Sequence, residues 1–316
     1  MTQGVIASEI RRMEHFRVVP APAERLYDLV ADVSRWPVVL GPCVAARRLE
    51  LIGDEERIEI SADVNGEVKT WTSRRTLDSA GLRVAFRQEL SAPPVATMSG
   101  EWSFAPEDDG RTRMTLTHAF SALTGDRKTL NWIAAAVDRN SEQELAALGE
   151  LAALAALGHP LEELVLSFAD RVELPGTAVA DAYEFVARAE LWPQRLPHVR
   201  RVDLDESVPG VQRLEMETVT ADGGSHTTQS VRLCSPGARI AYKQTVRPQL
   251  LSGHSGVWEF EALDGGTAIT SRHTVAIDPA AVVAVLGAGT TLAQAGAWAR
   301  ERLGANSRAT MEAAGA

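Results

Sequence analysis

The chain has 316 residues, 45% hydrophobic and 23% charged, with 24 Gly and 15 Pro; this length fits two domains and excludes disordered, collagen-like and low-complexity classes. The formal net charge of −10 lacks the basic footprint of a nucleic-acid binder and disfavours docking on an anionic membrane. No apolar stretch reaches the roughly 18 residues of a membrane span, residues 1–16 lack a signal-peptide core, and Cys43 and Cys234 match no metal or redox spacing; a cytoplasmic protein without metal or cofactor is expected.

A strand is expected over residues 14–19. Residues 22–33 follow as a helix with Leu26, Leu29, Val30 and Val33 on one face and a proline in its first turn. Five runs then alternate apolar and polar residues: 57–64, 69–77, 82–90, 99–104 and 113–120. Turn signals at 63–66, 78–81 and 108–110 separate them, and loops this short join antiparallel neighbours. Residues 127–157, rich in Ala, Leu and Glu, read as one long helix. A sheet with one apolar face must bury it against that helix, and strong curvature leaves room for a cavity between them.

The pattern then recurs. Sliding the sequence by 156 residues places Trp36-Pro37 on Trp192-Pro193, Tyr27 on Tyr183 and Gln88 on Gln244. The same slide brings Gly100-Glu101-Trp102-Ser103-Phe104 onto Gly256-Val257-Trp258-Glu259-Phe260. One residue fewer near Asp109 pairs His118 with His273; insertions then raise the shift to 166, pairing Trp132 with Trp298 and Asn140-Ser141 with Asn306-Ser307. Two homologous domains, 1–160 and 161–316, are therefore expected. Of seven tryptophans only Trp71 has no counterpart: it falls on Thr227, and Arg75 on Val231, so the second copy is expected to lack both the cation and that aromatic wall.

Strand alternation sets the candidate site. Trp71, Ser73, Arg75 and Leu77 share one face, and Met114, Leu116, His118 and Phe120 another, both read as inward. On the long helix, Ile133, Val137, Asn140 or Ser141, Glu144 and Leu148 follow helical spacing, so polar residues interrupt an apolar stripe. A buried unpaired guanidinium costs several kcal/mol (on the order of 3–5), which folding alone does not favour. The face resembles a binding pocket more than a core. The plainer readings are Arg75 snorkelling near a strand end beside a glutamate, His118 as a satisfied core histidine, and Asn140 bonded to a loop backbone. Trp102 and Trp258 read as core packing. His15, His159, His198, His226 and His254 read as surface or loop, and Gly287-Ala288-Gly289 lacks the third glycine of a dinucleotide loop.

The early Trp-Pro, Trp71-x-x-x-Arg75, Gly-x-Trp-x-Phe and the long terminal helix resemble polyketide aromatase/cyclases, in particular the di-domain subclass from bacterial type II polyketide synthases. The resemblance covers residues 14–157 and 168–316. It implies an α+β fold of tandem helix-grip (START/Bet v 1-like) domains, each a curved antiparallel sheet around a long helix with an interior cavity. It also implies a substrate, a poly-β-ketone tethered to an acyl carrier protein, whose first ring is closed between C7 and C12 and aromatised alongside other synthase components. Arg75, His118 and Asn140 match the family's functional positions, with Trp36, Trp71, Ser73, Phe86, Met114 and Phe120 as the expected walls. Gln229, Tyr242, His273 and Asn306 are expected in the second cavity.

The chemistry fits these residue types. An intramolecular aldol needs a methylene deprotonated and a carbonyl oxygen stabilised as charge builds. Arginine serves as a fixed donor to that oxygen, and histidine relays the proton and later protonates the leaving hydroxyl. The competing reading is a non-catalytic carrier of an apolar ligand; an inward cation separates the two.

Overall fold

The alternating runs fold into two seven-stranded antiparallel sheets, one in each of two compact units, Met1–His159 and Pro160–Ala316. The computed structural model describes residues 9–64, 66–124, 126–219 and 223–316; Asn65 of the expected 63–66 turn lies outside the described residues. The first unit runs β1 (Arg11–Val19), α1 (Ala23–Ala31), α2 (Trp36–Val39), β2 (Cys43–Ile52), β3 (Glu55–Val64), β4 (Glu67–Asp78), β5 (Arg83–Leu90), β6 (Val95–Pro106), β7 (Thr112–Ala122) and α3 (Arg127–Ala156). Strands β2 to β7 follow one another across the sheet and β1 closes on β7. Helix α3 starts at Asp126, whose carboxylate accepts from the Thr129 N–H at 2.8 Å. It packs on β1 and β7 and buries Leu130, Ile133, Leu145 and Leu148. This is the helix-grip architecture that the family resemblance implies.

Strand β2 is absent from the expected runs. It is an edge strand, paired only with β3, and from Arg47 onward its residues are exposed on both faces. An element with no buried face beyond its first residues leaves no alternation to read.

The second unit repeats the plan: α4 (Leu161–Leu164), β8 (Val165–Pro175), α5 (Val179–Ala187), α6 (Trp192–Arg195), β9 (Val199–Val208), β10 (Val211–Val219), β11 (Ser225–Ser235), β12 (Arg239–Val246), β13 (Leu251–Leu263), β14 (Gly266–Ile277), α7 (Pro279–Leu286) and α8 (Leu292–Ala313). Helix α7 supplies the inserted residues that raise the repeat shift. Thr291 and Gln294 then form a reciprocal capping box that starts α8.

The pairing corrects the repeat alignment on one strand. Glu56 lies opposite Arg75 across β3–β4, whereas Gln212, the counterpart of Glu56, lies opposite Arg232 across β10–β11. The partner of Arg75 is therefore Arg232, not Val231; the partner of Ser73 is Ser230, and that of Trp71 is Thr228. One extra residue in the turn before β11 (220–224 against 64–67) is offset by one fewer after it (233–238 against 76–82). A gapless slide is right on both flanks and one residue wrong between them, which places every side chain of that strand on the opposite face.

Candidate active site

Between the sheet and α3 of the first unit lies a cavity of about 190 Å³. Its floor is set by the end of α1. The Arg75 guanidinium, 1% exposed, donates from Nη1 to the Val30 carbonyl at 2.9 Å and from Nη2 to the Ala31 carbonyl at 2.6 Å. It also pairs with the Glu56 carboxylate, through Nε at 2.6 Å and through Nη2. Glu56 in turn accepts from Arg48 Nε at 2.6 Å. The Trp36 ring lies 4.9 Å from the guanidinium carbon, with its own N–H bonded to the Val30 carbonyl at 3.0 Å. Backbone carbonyls that α1 leaves open at its C-terminal end are thus satisfied by a buried cation. Burial lowers the guanidinium's proton affinity, and Glu56 opposes that loss.

The walls are apolar: Trp71, Phe86, Leu116, Ile58 and Ile60 from the sheet, Ile133 and Val137 from α3. The polar lining is sparse, comprising His118, Gln88, Asn140, Ser141 and Glu144 besides Ser73, Lys69 and Arg75. His118 sits against the edge of the Phe86 ring, with centroids 5.5 Å apart. Its Nδ1 is buried without a partner, as are Ser141 Oγ and Gln88 Oε1. Burial, and then the neighbouring His15, push the His118 imidazole down to about 4, so it is neutral at pH 7. Burial alone raises the Glu144 carboxyl to about 8. Glu144 is half-buried and lines the cavity. The pocket therefore holds a neutral base and a neutral acid at the same pH, the pattern of paired groups driven apart by their surroundings.

Gly100 has a steric role in this wall. A Cβ there would lie 2.5 Å from Phe86 Cζ and collide with the Thr117 carbonyl oxygen. Gly256 in the second unit makes the same room for Tyr242, whose ring carbon Cζ would lie 2.5 Å from such a Cβ. The Gly-x-Trp-x-Phe motif thus lets an aromatic ring from the next strand lie flat over the backbone.

Of the expected residues, Arg75, His118, Asn140, Trp36, Trp71, Ser73 and Phe86 are brought together around the cavity. Met114 and Phe120 are not among its lining residues. Both are fully buried core, Phe120 packing on Leu130, Ile133 and Val137, because the cavity reaches only Leu116 and His118 on the inner face of β7. His15 and His254 are buried, at 7% and 3% exposed, not at the surface. The sequence reading missed Gln88 and Glu56, and passed over Glu144 as an interruption of an apolar stripe. That interruption was the available signal.

The second unit is built differently inside. Gln229 and Asn306 are exposed, Gln229 donating to Glu215 at 2.9 Å; the one-residue slip in β11 and the outer face of α8 turn them away from the interior. Arg232 repeats the Arg75 floor, donating to the Ala187 carbonyl at 3.4 Å and to the Val186 carbonyl at 2.5 Å beneath Trp192. Gln212 replaces Glu56, so among the described residues no carboxylate pairs with it. Tyr242 and His273, expected to line a cavity, belong to a buried hydrogen-bonded network. Tyr242 Oη and His254 Nε2 lie 3.0 and 3.1 Å from His273 Nδ1, and Ser307 Oγ lies 2.7 Å from His273 Nε2. His254 Nδ1 lies 2.8 Å from Gln244 Oε1.

Burial holds both histidines well below their ordinary value, and at His254 the neighbouring His273 adds to the effect. A histidine with a depressed folded value binds fewer protons folded than unfolded. Stability is then lost as pH falls below 6.5 toward about 4, the value of His273. Domain 1 carries Met98 where this unit has His254. His254→Met is therefore expected to shrink the drop in melting temperature between pH 7 and pH 5, whatever it costs at pH 7. An unchanged drop would remove the histidine pair as its cause.

A family model described as polyketide cyclase / dehydrase and lipid transport matches residues 19–145 and 176–298. The granaticin polyketide synthase bifunctional cyclase/dehydratase of Streptomyces violaceoruber is 50% identical over 303 residues, 96% of this chain and 92% of that protein. The actinorhodin polyketide synthase bifunctional cyclase/dehydratase of Streptomyces coelicolor is 51% identical over 315 residues, 96% of each chain. Among solved structures, the di-domain ARO/CYC BexL from the BE-7585A biosynthetic pathway superposes with a TM-score of 0.79 at 46% identity, covering 96% of this chain and 97% of that one.

Proposed function

The chain belongs to the polyketide cyclase / dehydrase and lipid transport family, and on that premise we propose that its first unit closes and aromatises the first ring of a poly-β-ketone tethered to an acyl carrier protein. It is a polyketide cyclase/dehydratase; the finer reading is an aldol closure between C7 and C12 followed by dehydration, in a cytoplasmic enzyme of two domains, 1–160 and 161–316, working with other type II synthase components. The observation that carries this reading is the placement of His118 and Glu144 in one apolar cavity, where burial lowers the imidazole to about 4 and raises the carboxyl to about 8. A carrier of an apolar ligand gains nothing from an unpaired buried carboxyl, which costs free energy.

His118 takes the methylene proton, leaving an enolate that attacks the distant carbonyl. The oxygen of that carbonyl gathers charge and takes back the proton that His118 removed. Glu144, protonated at pH 7, gives its proton to the resulting hydroxyl, which leaves as water, and its carboxylate then accepts the ring proton whose loss completes the aromatic system, restoring the acid. Four of the five N–H donors of Arg75 are committed to two carbonyls and Glu56, so it acts mainly through its field. The Arg48, Glu56 and Arg75 trio carries one net positive charge under the site of oxyanion development. Trp36, Trp71 and Phe86 fold the chain so that one pair of carbons meets, and Ser73 and Asn140 orient its ketones.

Reconstitution with a minimal type II polyketide synthase tests the proposal. A single product with an aromatic first ring is expected in place of the spontaneous mixture. A folded protein that binds the polyketide and leaves the mixture unchanged is a carrier.

A further inference from the structure

We propose that one water molecule, held between His118 Nδ1, His15 Nδ1 and Ser141 Oγ, completes a proton path from the cavity to the Asp138 carboxylate at the surface, with His15 as its positioning residue. Among the described residues these three buried polar atoms have no hydrogen-bond partner. Register brings the two imidazoles together. Met13 lies opposite His118 across β1–β7, and His15, two residues on, is its diagonal neighbour on the same inner face. His15 Nε2 lies 3.0 Å from Asp138 Oδ1, and the Asp138 side chain is 61% exposed. Asp138 and Ser141 are three apart on α3 and so share one helix face.

The second unit shows how close this triangle is. The counterparts of His118 and Ser141, His273 and Ser307, meet directly at 2.7 Å, there through Nε2 of the histidine rather than Nδ1. Asp170 stands at the His15 position, opposite Ser271, and pairs with Arg308 on α8 at 2.6 Å. There the same corner is closed by direct contacts; in the first unit the corresponding side chains carry three unpartnered atoms. A buried water requires two to four polar partners, and this corner offers three.

The donor pattern is fixed by the carboxylate. Asp138 only accepts, so His15 donates from Nε2, and the neutral imidazole of that tautomer accepts at Nδ1. With the Nε2 lone pair of His118 turned to the cavity, its Nδ1–H donates to the water, and the water donates to His15 Nδ1. When His118 Nε2 takes the methylene proton, its Nδ1 proton passes to the water and a water proton passes to His15 Nδ1. The water is regenerated, and the charge rests on a His15 imidazolium beside the Asp138 carboxylate. The return of a proton runs the same bonds backward. The other charged or titratable groups of the cavity that His118 lines are Glu144 from α3, Arg75, with its partner Glu56, and Lys69 from β4 and β3, and Cys43 from β2.

The role of His118 as base rests on the function proposed above; the water does not. A crystal structure at a resolution that defines waters should show one within hydrogen-bond distance of both imidazoles. In the reconstituted reaction His15→Phe should lower kcat about 10- to 100-fold with KM within about threefold, the usual effect of a group supporting a reactive one. The acid limb of kcat/KM should move to higher pH, since a neighbouring imidazole no longer opposes charge on His118. Asp138→Asn, changing an exposed side chain, should lower kcat in the same direction and carries the test if His15→Phe does not fold. A direct His118–Ser141 bond with no water there overturns the proposal. So does an unchanged kcat and acid limb in a variant that folds. A water in place with no cyclase activity in the parent would instead overturn the assigned function.

Discussion

Arg75→Ala is expected to abolish controlled ring closure and to destabilise the first unit by about 3–5 kcal/mol, the cost of leaving one member of a buried ion pair alone. The substitution removes a 1% exposed guanidinium, orphans the Val30 and Ala31 carbonyls and leaves the Glu56 carboxylate with only the half-exposed Arg48. It also removes the plate on which Trp36 rests, so the cavity floor loses its shape with its charge. Glu56→Gln is the informative control. The second unit pairs Arg232 with Gln212 at this place, so the fold accepts an amide there, and a cost of about 1–2 kcal/mol is expected. Thermal unfolding and the product profile of both variants check this. An Arg75→Ala protein that melts with the parent and gives the parent's product would remove Arg75 from the site.

Glu144→Gln is expected to lose dehydration while gaining stability at neutral pH, a combination few structural residues produce. Its folded value of about 8 lies above the unfolded 4.5. The folded protein therefore holds a proton that the unfolded chain has given up between those values. Stability falls as pH rises from 4.5 through 8, and the amide, with no proton to lose, removes that slope. One unit of displacement corresponds to about 1.4 kcal/mol, so the gain at pH 7 is at most a few kcal/mol. In activity, the parent needs neutral His118 and protonated Glu144, giving a window bounded near 4 and near 8. Glu144→Gln should slow dehydration by about 10²–10⁴, leave the hydroxylated ring as product and abolish the alkaline limb. A variant with the parent's alkaline limb would place the acid elsewhere.

Much of the fold was legible in the residues. Period-two alternation located five strands of the first unit. The Trp36/Trp192, Trp102/Trp258 and Trp132/Trp298 pairs, at their separate shifts, marked the duplication, because large rings fill fixed places in a core and are carried over with it. The inward positions of Trp71, Ser73, Arg75 and His118 followed from the same alternation. Strand β2 escaped because an edge strand exposed on both faces has no pattern. Met114 and Phe120 were inward as read, yet a strand's inner face is longer than the cavity it borders.

What the chain by itself determined was periodicity, and with it the sheet, the long helix and the repeat, since local spacing fixes which face is buried. Only the tertiary structure decided the register of β11, because a one-residue insertion and a one-residue deletion cancel along the sequence while reversing every face between them. It alone showed that Arg75 has a partner in Arg232, and that a carboxylate accompanies the first and an amide the second. Ionisation was likewise beyond the sequence. Glu144 on a helix stripe is an ordinary carboxylate until the sheet closes over it; burial, a property of residues far apart in the chain, makes it an acid at neutral pH.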